Sequence, residues 1–283
     1  MLVKTPKPTA MQWIQHYMSK RCLLLFGILF MGSNVAMINA QKMDTKNDLV
    51  FDTGEYFKFR IHYGLITAGY ASLTIQDDPK NANGYYIRGY GETSGFSSIF
   101  FKVEDRYETK VDKKTFLPYE FIRQIDEGGH TKDKIIKFDQ EARIAYVNDR
   151  KYNKQREIAT TGDVQDMIST FYYLRNTIQA EELKEGDEEQ VTMFFDEENY
   201  PFKLRFLGRE EIRTKFGKIN ALKFRPLVLA GRVFKEQESL TVWVSDDANK
   251  IPLRIQASLA VGSIKADLIE HRGLLHEIAV IEK

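Results

Sequence analysis

The chain has 283 residues, 43% of them hydrophobic and 29% charged, and its 41 basic and 40 acidic side chains give a formal net charge of +1. That balance lacks the basic excess of a nucleic-acid surface, so no nucleic-acid partner is expected. The single cysteine excludes a disulfide framework within the chain.

Lys20 and Arg21 precede an apolar run from Leu23 to Met31, and Ile38-Asn39-Ala40 ends on a small residue before Gln41. This is the layout of a secretory signal peptide over residues 1–40, with Met11 and Met18 as alternative starts that would shorten its long basic region. The run is too short to span a bilayer. Cys22 stands ahead of it, where a lipoprotein signal would place its cysteine at the cleavage site. The expectation is a periplasmic or otherwise exported protein with neither a lipid anchor nor a transmembrane span after cleavage; an uncleaved anchor is the competing reading, disfavoured because residues 32–40 turn polar and small. Cleavage would remove Cys22 and four basic residues (Lys4, Lys7, Lys20, Arg21) but no acid, taking the net charge from +1 to −3. Residues 41–283, about 240 in all, are enough for one mainly β domain whose stability comes from its core alone.

From Gly54 to Tyr63, Phe57, Phe59, Ile61 and Tyr63 alternate with Lys58, Arg60 and His62, which predicts a half-buried strand with His62 on its solvated face. Residues 64–69 turn the chain into a second strand carrying Ala71, Leu73 and Ile75, and Asn83-Gly84 opens a tyrosine-rich third. The connection 93–101 carries Phe96, Ile99, Phe100 and Phe101, which must either fold under the sheet or meet something apolar. Phe101, Val103, Asp105, Tyr107 and Thr109 then share one strand face, and Asp105 is the exception on it. An inward acid of this kind is expected to be paired with an arginine or hydroxyl. Strands starting at Leu117 and Ile135, and the segment 144–147, complete a first half over 51–148. The basic stretch 149–162 reads as a solvated linker, with a phosphate or headgroup site as the minority reading.

Residues 163–179 form the one long helical pattern, with Val164, Met167, Ile168, Phe171, Leu174 and Ile178 on one face. Asp163, after Gly162, reads as its N-cap, and Asp163 and Arg175 could anchor its two ends by charge-assisted hydrogen bonds. Strands resume over 190–271, with 208–217 read as a twisted hairpin and Asp246-Asp247 as the turn after Leu240, Val242 and Val244. Asp246 is expected to cap backbone amides there rather than bind calcium, since the alternating oxygen ligands of a hand-type loop are missing. The fold class expected is mainly β: a curved antiparallel sheet or open half-barrel with one central helix packed on its concave face.

Chemistry is sparse. The histidines at 62, 130, 271 and 276 lack the i, i+4 spacing of a zinc pair, Gly89-Tyr90-Gly91 has the wrong spacing for a phosphate loop, and no nucleophile elbow or Walker sequence occurs. No metal or cofactor is expected.

Gly54-Glu-Tyr-Phe-Lys-Phe59, Tyr63-Gly-Leu-Ile-Thr-Ala-Gly-Tyr-Ala71, Asp105-Arg-Tyr107, Pro118-Tyr-Glu-Phe121, the segment 166–175 and Trp243-Val-Ser-Asp-Asp247 through Pro252, in that order, resemble an exported bacterial family known as domain of unknown function 3108. The resemblance implies an envelope location and a mostly β fold, and it brings no activity and no catalytic residues. The general plan is also similar to that of periplasmic lipoprotein carriers, a fold analogy that does not fix function. On that analogy Phe96, Ile99, Phe100, Phe101, Phe171 and Tyr172 would line or cover an apolar cavity of roughly 300 to 1,000 Å³ for a lipid or similar ligand; otherwise they fill the core. The alternatives are an envelope scaffold or assembly factor, with a filled interior, an exposed apolar patch and an envelope protein as partner, and a polymer hydrolase using Asp105, His62, Arg60 or Arg106.

Overall fold

The computed structural model describes residues 49–95, 97–98, 101–227, 240–259 and 261–282. The signal-peptide reading and the positions Phe96, Ile99 and Phe100 lie outside these residues.

Eight strands run as an antiparallel meander: β1 (Tyr56–Tyr63), β2 (Ile66–Asp78), β3 (Asn81–Thr93), β4 (Val103–Asp112), β5 (Pro118–Glu127), β6 (His130–Asp139), β7 (Ile144–Asp149) and β8 (Lys154–Ala159). Helix α1 (Met167–Thr177) and a 3-10 turn (Ala180–Glu182) follow. A second meander then runs through β9 (Glu188–Phe195), β10 (Glu198–Thr214), β11 (Gly217–Leu227), β12 (Leu240–Ser245), β13 (Pro252–Ser258) and β14 (Ser263–Arg272). The short β15 (Val280–Glu282) pairs with β11.

The last long strand returns to the first. β14 pairs with β1, with Ile61 opposite Ala266 and Tyr63 opposite Ile264, so the two meanders form one open antiparallel sheet with β8 and β9 as its edges. Helix α1 is the crossover between those edges, and it lies in the hollow of the sheet. The β1 alternation is real: Phe57, Phe59 and Ile61 are buried. Around Phe51, which precedes β1, Tyr85, Phe116 and Tyr172 pack edge-on within 6 Å, the closest being Tyr172 at 4.7 Å. Burial of each such ring contributes about 1.5–3 kcal/mol.

The edge strands β8 and β9 are not paired with each other; polar groups on the β9–β10 turn instead tie that turn to β5, β6 and β8. Asp196 receives Arg123 Nη1 at 2.6 Å and Lys132 Nζ at 3.0 Å, Glu197 receives Lys134 at 2.6 Å and also Arg156, and Asn199 donates to the Ala159 carbonyl at 2.8 Å. Asp196 and Glu197 both have positive φ (45° and 70°), the left-handed conformation a tight hairpin demands and side-chain-bearing residues adopt at a cost.

Four sequence expectations are corrected here. The helix begins at Met167, and its N-cap is Asp166: Asp166 Oδ1 accepts from the amides of Ile168 and Ser169, while Ser169 Oγ accepts from the Asp166 amide. Asp163 is exposed and caps nothing, because residues 164–166 are extended and tied elsewhere: Val164 to Gln140, Gln165 to Met193. The basic stretch 149–162 contains strand β8, whose residues are almost all exposed, so no alternation marks it; its charges suit a sheet edge that must not recruit another strand. β10 continues through Gly208 as one bulged strand and turns only at 215–216. His62 is buried rather than solvated, because the register slips between Ile61 and His62 and Asp267 is positioned to receive it at 2.9 Å.

Candidate functional site

The hollow of the sheet is not filled by the helix. Between α1 and the strands β10–β14, β1 and β2 lies a cavity of about 220 Å³. From the helix it takes Met167, Ile168, Thr170, Phe171, Leu174, Arg175 and Ile178, the three- and four-residue spacing of one helical face. Across from these stand Phe202, Leu204, Phe224, Leu240, Val242, Val244 and Ile255. Leu204, Val242, Val244 and Ile255 point inward yet are only half-buried, because they border open space. The floor is recessed by small residues: Ala71 sits opposite Phe59 on β2, and Ala266 opposite Ile61 on β14. Of the residues lining the cavity, Thr170, Arg175 and Lys250 carry the polar groups.

Arg175 is the anchor of the wall. Its Nη1 and Nη2 donate to the two carboxylate oxygens of Glu55 at 2.7 and 2.8 Å, and Nε and Nη2 share the Asn249 carbonyl at 3.1 and 2.8 Å. Phe51, Phe57, Phe171 and Tyr172 surround the guanidinium with ring centroids at 5.4–5.6 Å. A bidentate pair with this enclosure has its donors engaged and fixes the rotation of the helix over the cavity. Asn249 extends the network: its side chain donates to the His276 carbonyl and accepts from the His276 amide, which holds the segment after β14 against the β12–β13 turn.

At its other end the helix is held by Asp166, which is fully buried and receives the Thr109 hydroxyl from β4. Burial pushes the Asp166 carboxyl up to about 6, against the lowering effect of Thr109 and the two cap amides.

A second polar group sits on the same inner face of β4 and β5. Val103 pairs with Glu127 and Asp105 with Ile125, so Asp105 and Glu127 are diagonal neighbours, and they are 4% and 3% exposed. Oδ1 of Asp105 and both oxygens of Glu127 are buried without a hydrogen-bond donor. Burial pushes Asp105 up to about 6 and Glu127 up to about 8, the latter reinforced by the charge of Asp105. The carboxyl pair therefore carries a proton through neutral pH. Arg123, beside it, stacks over Phe195 at 4.6 Å and reaches Asp196.

The residues proposed from sequence fall in different places. Phe171 lines the cavity. Tyr172, one residue on, is turned away into the ring cluster around Phe51. Phe101 does not line it either: it is packed on the β5–β6 turn, where a Cβ on Gly128 would stand 2.3 Å from its ring. Asp105 faces a second carboxyl, and His62 is bonded to Asp267 and the Gly64 carbonyl, so the two do not meet. Asp246 receives Arg209 at 3.0 Å; the amides of the turn are capped by Asp247 instead. Sequence reading missed Glu55, Asp166 and Glu127; only Asp166 had a local signal, the Asp-x-x-Ser of a capping box. Among the described residues no three His, Cys, Asp or Glu side chains are grouped to hold a metal ion, and no helix is long and apolar enough to cross a membrane.

Residues 58–269 match a family described as protein of unknown function, DUF3108. The chain belongs to that family. No curated protein matches it. Among solved structures, a β-barrel-like protein of domain of unknown function DUF1849 from Brucella abortus shares 9% identity at a TM-score of 0.50, over 77% of this chain and 96% of that one. A Bacteroides fragilis protein with a YmcC-like fold shares 8% at 0.29, over 78% and 97%. The DUF3108 chain thus shares a β-barrel-like fold with the Brucella protein, and in its own case the sheet stays open.

Proposed function

We propose that this DUF3108 protein is exported and carries a single-chain apolar ligand, such as a fatty acyl chain, in the cavity between α1 and the second meander. The observation that carries the reading is the cavity itself: about 220 Å³, walled by aliphatic and aromatic side chains, with Thr170, Arg175 and Lys250 as its polar members. A scaffold would have filled that space, since unfilled apolar volume costs stability. The cavity is smaller than the range expected from sequence, and this limits the ligand. An apolar cavity of about 150 Å³ already admits benzene, so this one suits part of one acyl chain rather than a two-chain lipid. Each buried methylene would contribute about 0.8 kcal/mol. The apolar run at residues 23–31 supports export through the signal-peptide reading.

The test is uptake of a dansyl-labelled fatty acid by the purified protein and by the variant Ala266→Leu, which puts a larger side chain on the recessed floor. Saturable emission enhancement, weakened at least tenfold in the folded variant, supports the carrier. Equal uptake by both proteins, or none by either, would sink it.

A further inference from the structure

The strand registers bring the β1–β2, β3–β4, β5–β6, β7–β8, β9–β10 and β13–β14 connections to one end of the sheet. On two of them the side chains are apolar where turns are ordinarily polar. Leu65 is 98% exposed and Ile66 60%, on the β1–β2 turn; Val261, on the β13–β14 turn, is 76% exposed. One exposed hydrophobe would call for no explanation, but these three form a set. Tyr63 pairs with Ile66 on one side and Ile264 on the other, and its hydroxyl donates to the Val261 carbonyl at 3.1 Å. Its ring lies under Gly262, where a Cβ would come within 2.9 Å of the hydroxyl oxygen. The two tips are thus stapled into one rigid apolar prow, and Tyr152 stands exposed on the β7–β8 turn at the same end.

We propose that this end of the sheet docks on an anionic lipid bilayer, with Leu65, Ile66 and Val261 entering the headgroup–acyl boundary. Size favours a bilayer over a protein: among the described residues the prow presents three exposed aliphatic side chains, too little for a stable protein interface, whereas a bilayer accepts side chains one at a time. Charge gives the second argument. His130, Lys151 and Lys154 are exposed at this end, and so are Lys102 and Arg150, which are paired with Glu104 and Asp133. Of the acids there, Asp149 is buried, Asp196 and Glu197 are matched by Arg123, Lys132, Lys134 and Arg156, and Glu92 and Asp126 stay exposed, bonded to the Tyr90 hydroxyl and the Gly129 amide. The β7–β8 turn therefore offers two exposed lysines, one of them over the exposed ring of Tyr152, the pairing of basic and apolar groups that anionic headgroups attract. The cavity reaches the same end, since Leu240 begins β12 and pairs with Ala257 beside the β13–β14 turn. On the carrier reading, on which this last point alone rests, docking would place the ligand's exit at the bilayer.

The experiment is flotation of the purified protein with phosphatidylcholine vesicles, with and without phosphatidylglycerol. Wild type should float, more so with phosphatidylglycerol. The double variant Leu65→Asp/Val261→Asp should lose at least about tenfold in partitioning, a size set by replacing two inserting side chains with charges. Leu275→Asp, an exposed leucine beside His276 at the opposite end, should float like wild type. A wild type that stays at the bottom, a double variant that floats unchanged, or equal losses in both variants would overturn the proposal, and concentration-dependent self-association abolished by the double variant without flotation would assign the prow to protein contact instead. Dansyl fatty acid uptake, measured in parallel, should be unchanged by Leu65→Asp/Val261→Asp, so failure of the cavity reading and failure of docking give separate signals.

Discussion

Arg175, in the last turn of α1, holds the carboxylate of Glu55 in a bidentate grip although 120 residues separate them, and both side chains are essentially out of water at 2% and 0% exposure. The pair closes the helix against the entry to β1, the strand at which the two meanders join. Because its charges are fully enclosed, it makes the fold specific more than it makes it stable.

Arg175→Met should therefore destabilise the protein by about 3–5 kcal/mol, since it strands the Glu55 carboxylate in the interior. The double variant Arg175→Met/Glu55→Gln should recover a large part of that loss. Urea unfolding of the two single variants and the double completes the cycle; additive losses would show that the pair does not interact as described.

Stability should fall as pH rises from about 5 to about 9, through the carboxyl pair Asp105–Glu127. Both folded values are raised, to about 6 and about 8, above ordinary carboxyl values. The folded state thus holds protons that the unfolded chain releases; the stabilisation is complete below the unfolded values and is lost as pH climbs through the folded ones. Glu127→Gln removes one ionisation and should flatten this slope while leaving the fold intact, as read by melting temperature across the range.

Much of this architecture was legible in the residues. The periodicity of α1 marked a helix that is covered all round; the alternation in β4 comes from side chains with one wet and one dry surface, and there pattern and burial coincide, as they do in β1 up to His62. β8 was illegible for the same reason: as an edge strand it is wet on both sides, so nothing alternates. The helix start was misplaced because Asp163, following Gly162, also reads as a cap; the capping-box spacing of Asp166 and Ser169 favours the later start, and the extended bridge from Gln165 to Met193 enforces it. The candidate site divides along similar lines. Ala71 and Ala266 are ordinary residues in sequence, and they become a recess only once the register sets them beside Phe59 and Ile61. Glu127 reads as a turn-proximal acid until β4 supplies Asp105.

The β9–β10 turn should behave as an electrostatic clasp. Asp196→Asn keeps a side chain that tolerates positive φ but removes the charge facing Arg123 and Lys132. Asp196 is held below the ordinary carboxylate range by these two cations despite its burial. The variant should lose about 2–3 kcal/mol, and amide exchange should accelerate in β8 and β9 ahead of the central strands. Uniform acceleration across the sheet would show that the edges are not held by this turn.

Asp166 offers a separable test of cap and charge. Asp166→Ala deletes the acceptor for the Ile168 and Ser169 amides and for the Thr109 hydroxyl, and should cost about 2–3 kcal/mol, above the usual range for a cap because the site is buried. Asp166→Asn keeps an oxygen acceptor and should cost less than half as much. Its folded value of about 6 is raised, so its stabilisation is present below the unfolded value and disappears as pH rises through 6. The asparagine variant should accordingly close part of its gap to wild type between pH 5 and pH 7, where the wild-type carboxyl must ionise in a buried site and the amide need not. A constant gap across that interval would mean that Asp166 is already ionised at pH 5, with Thr109 and the cap amides outweighing its burial.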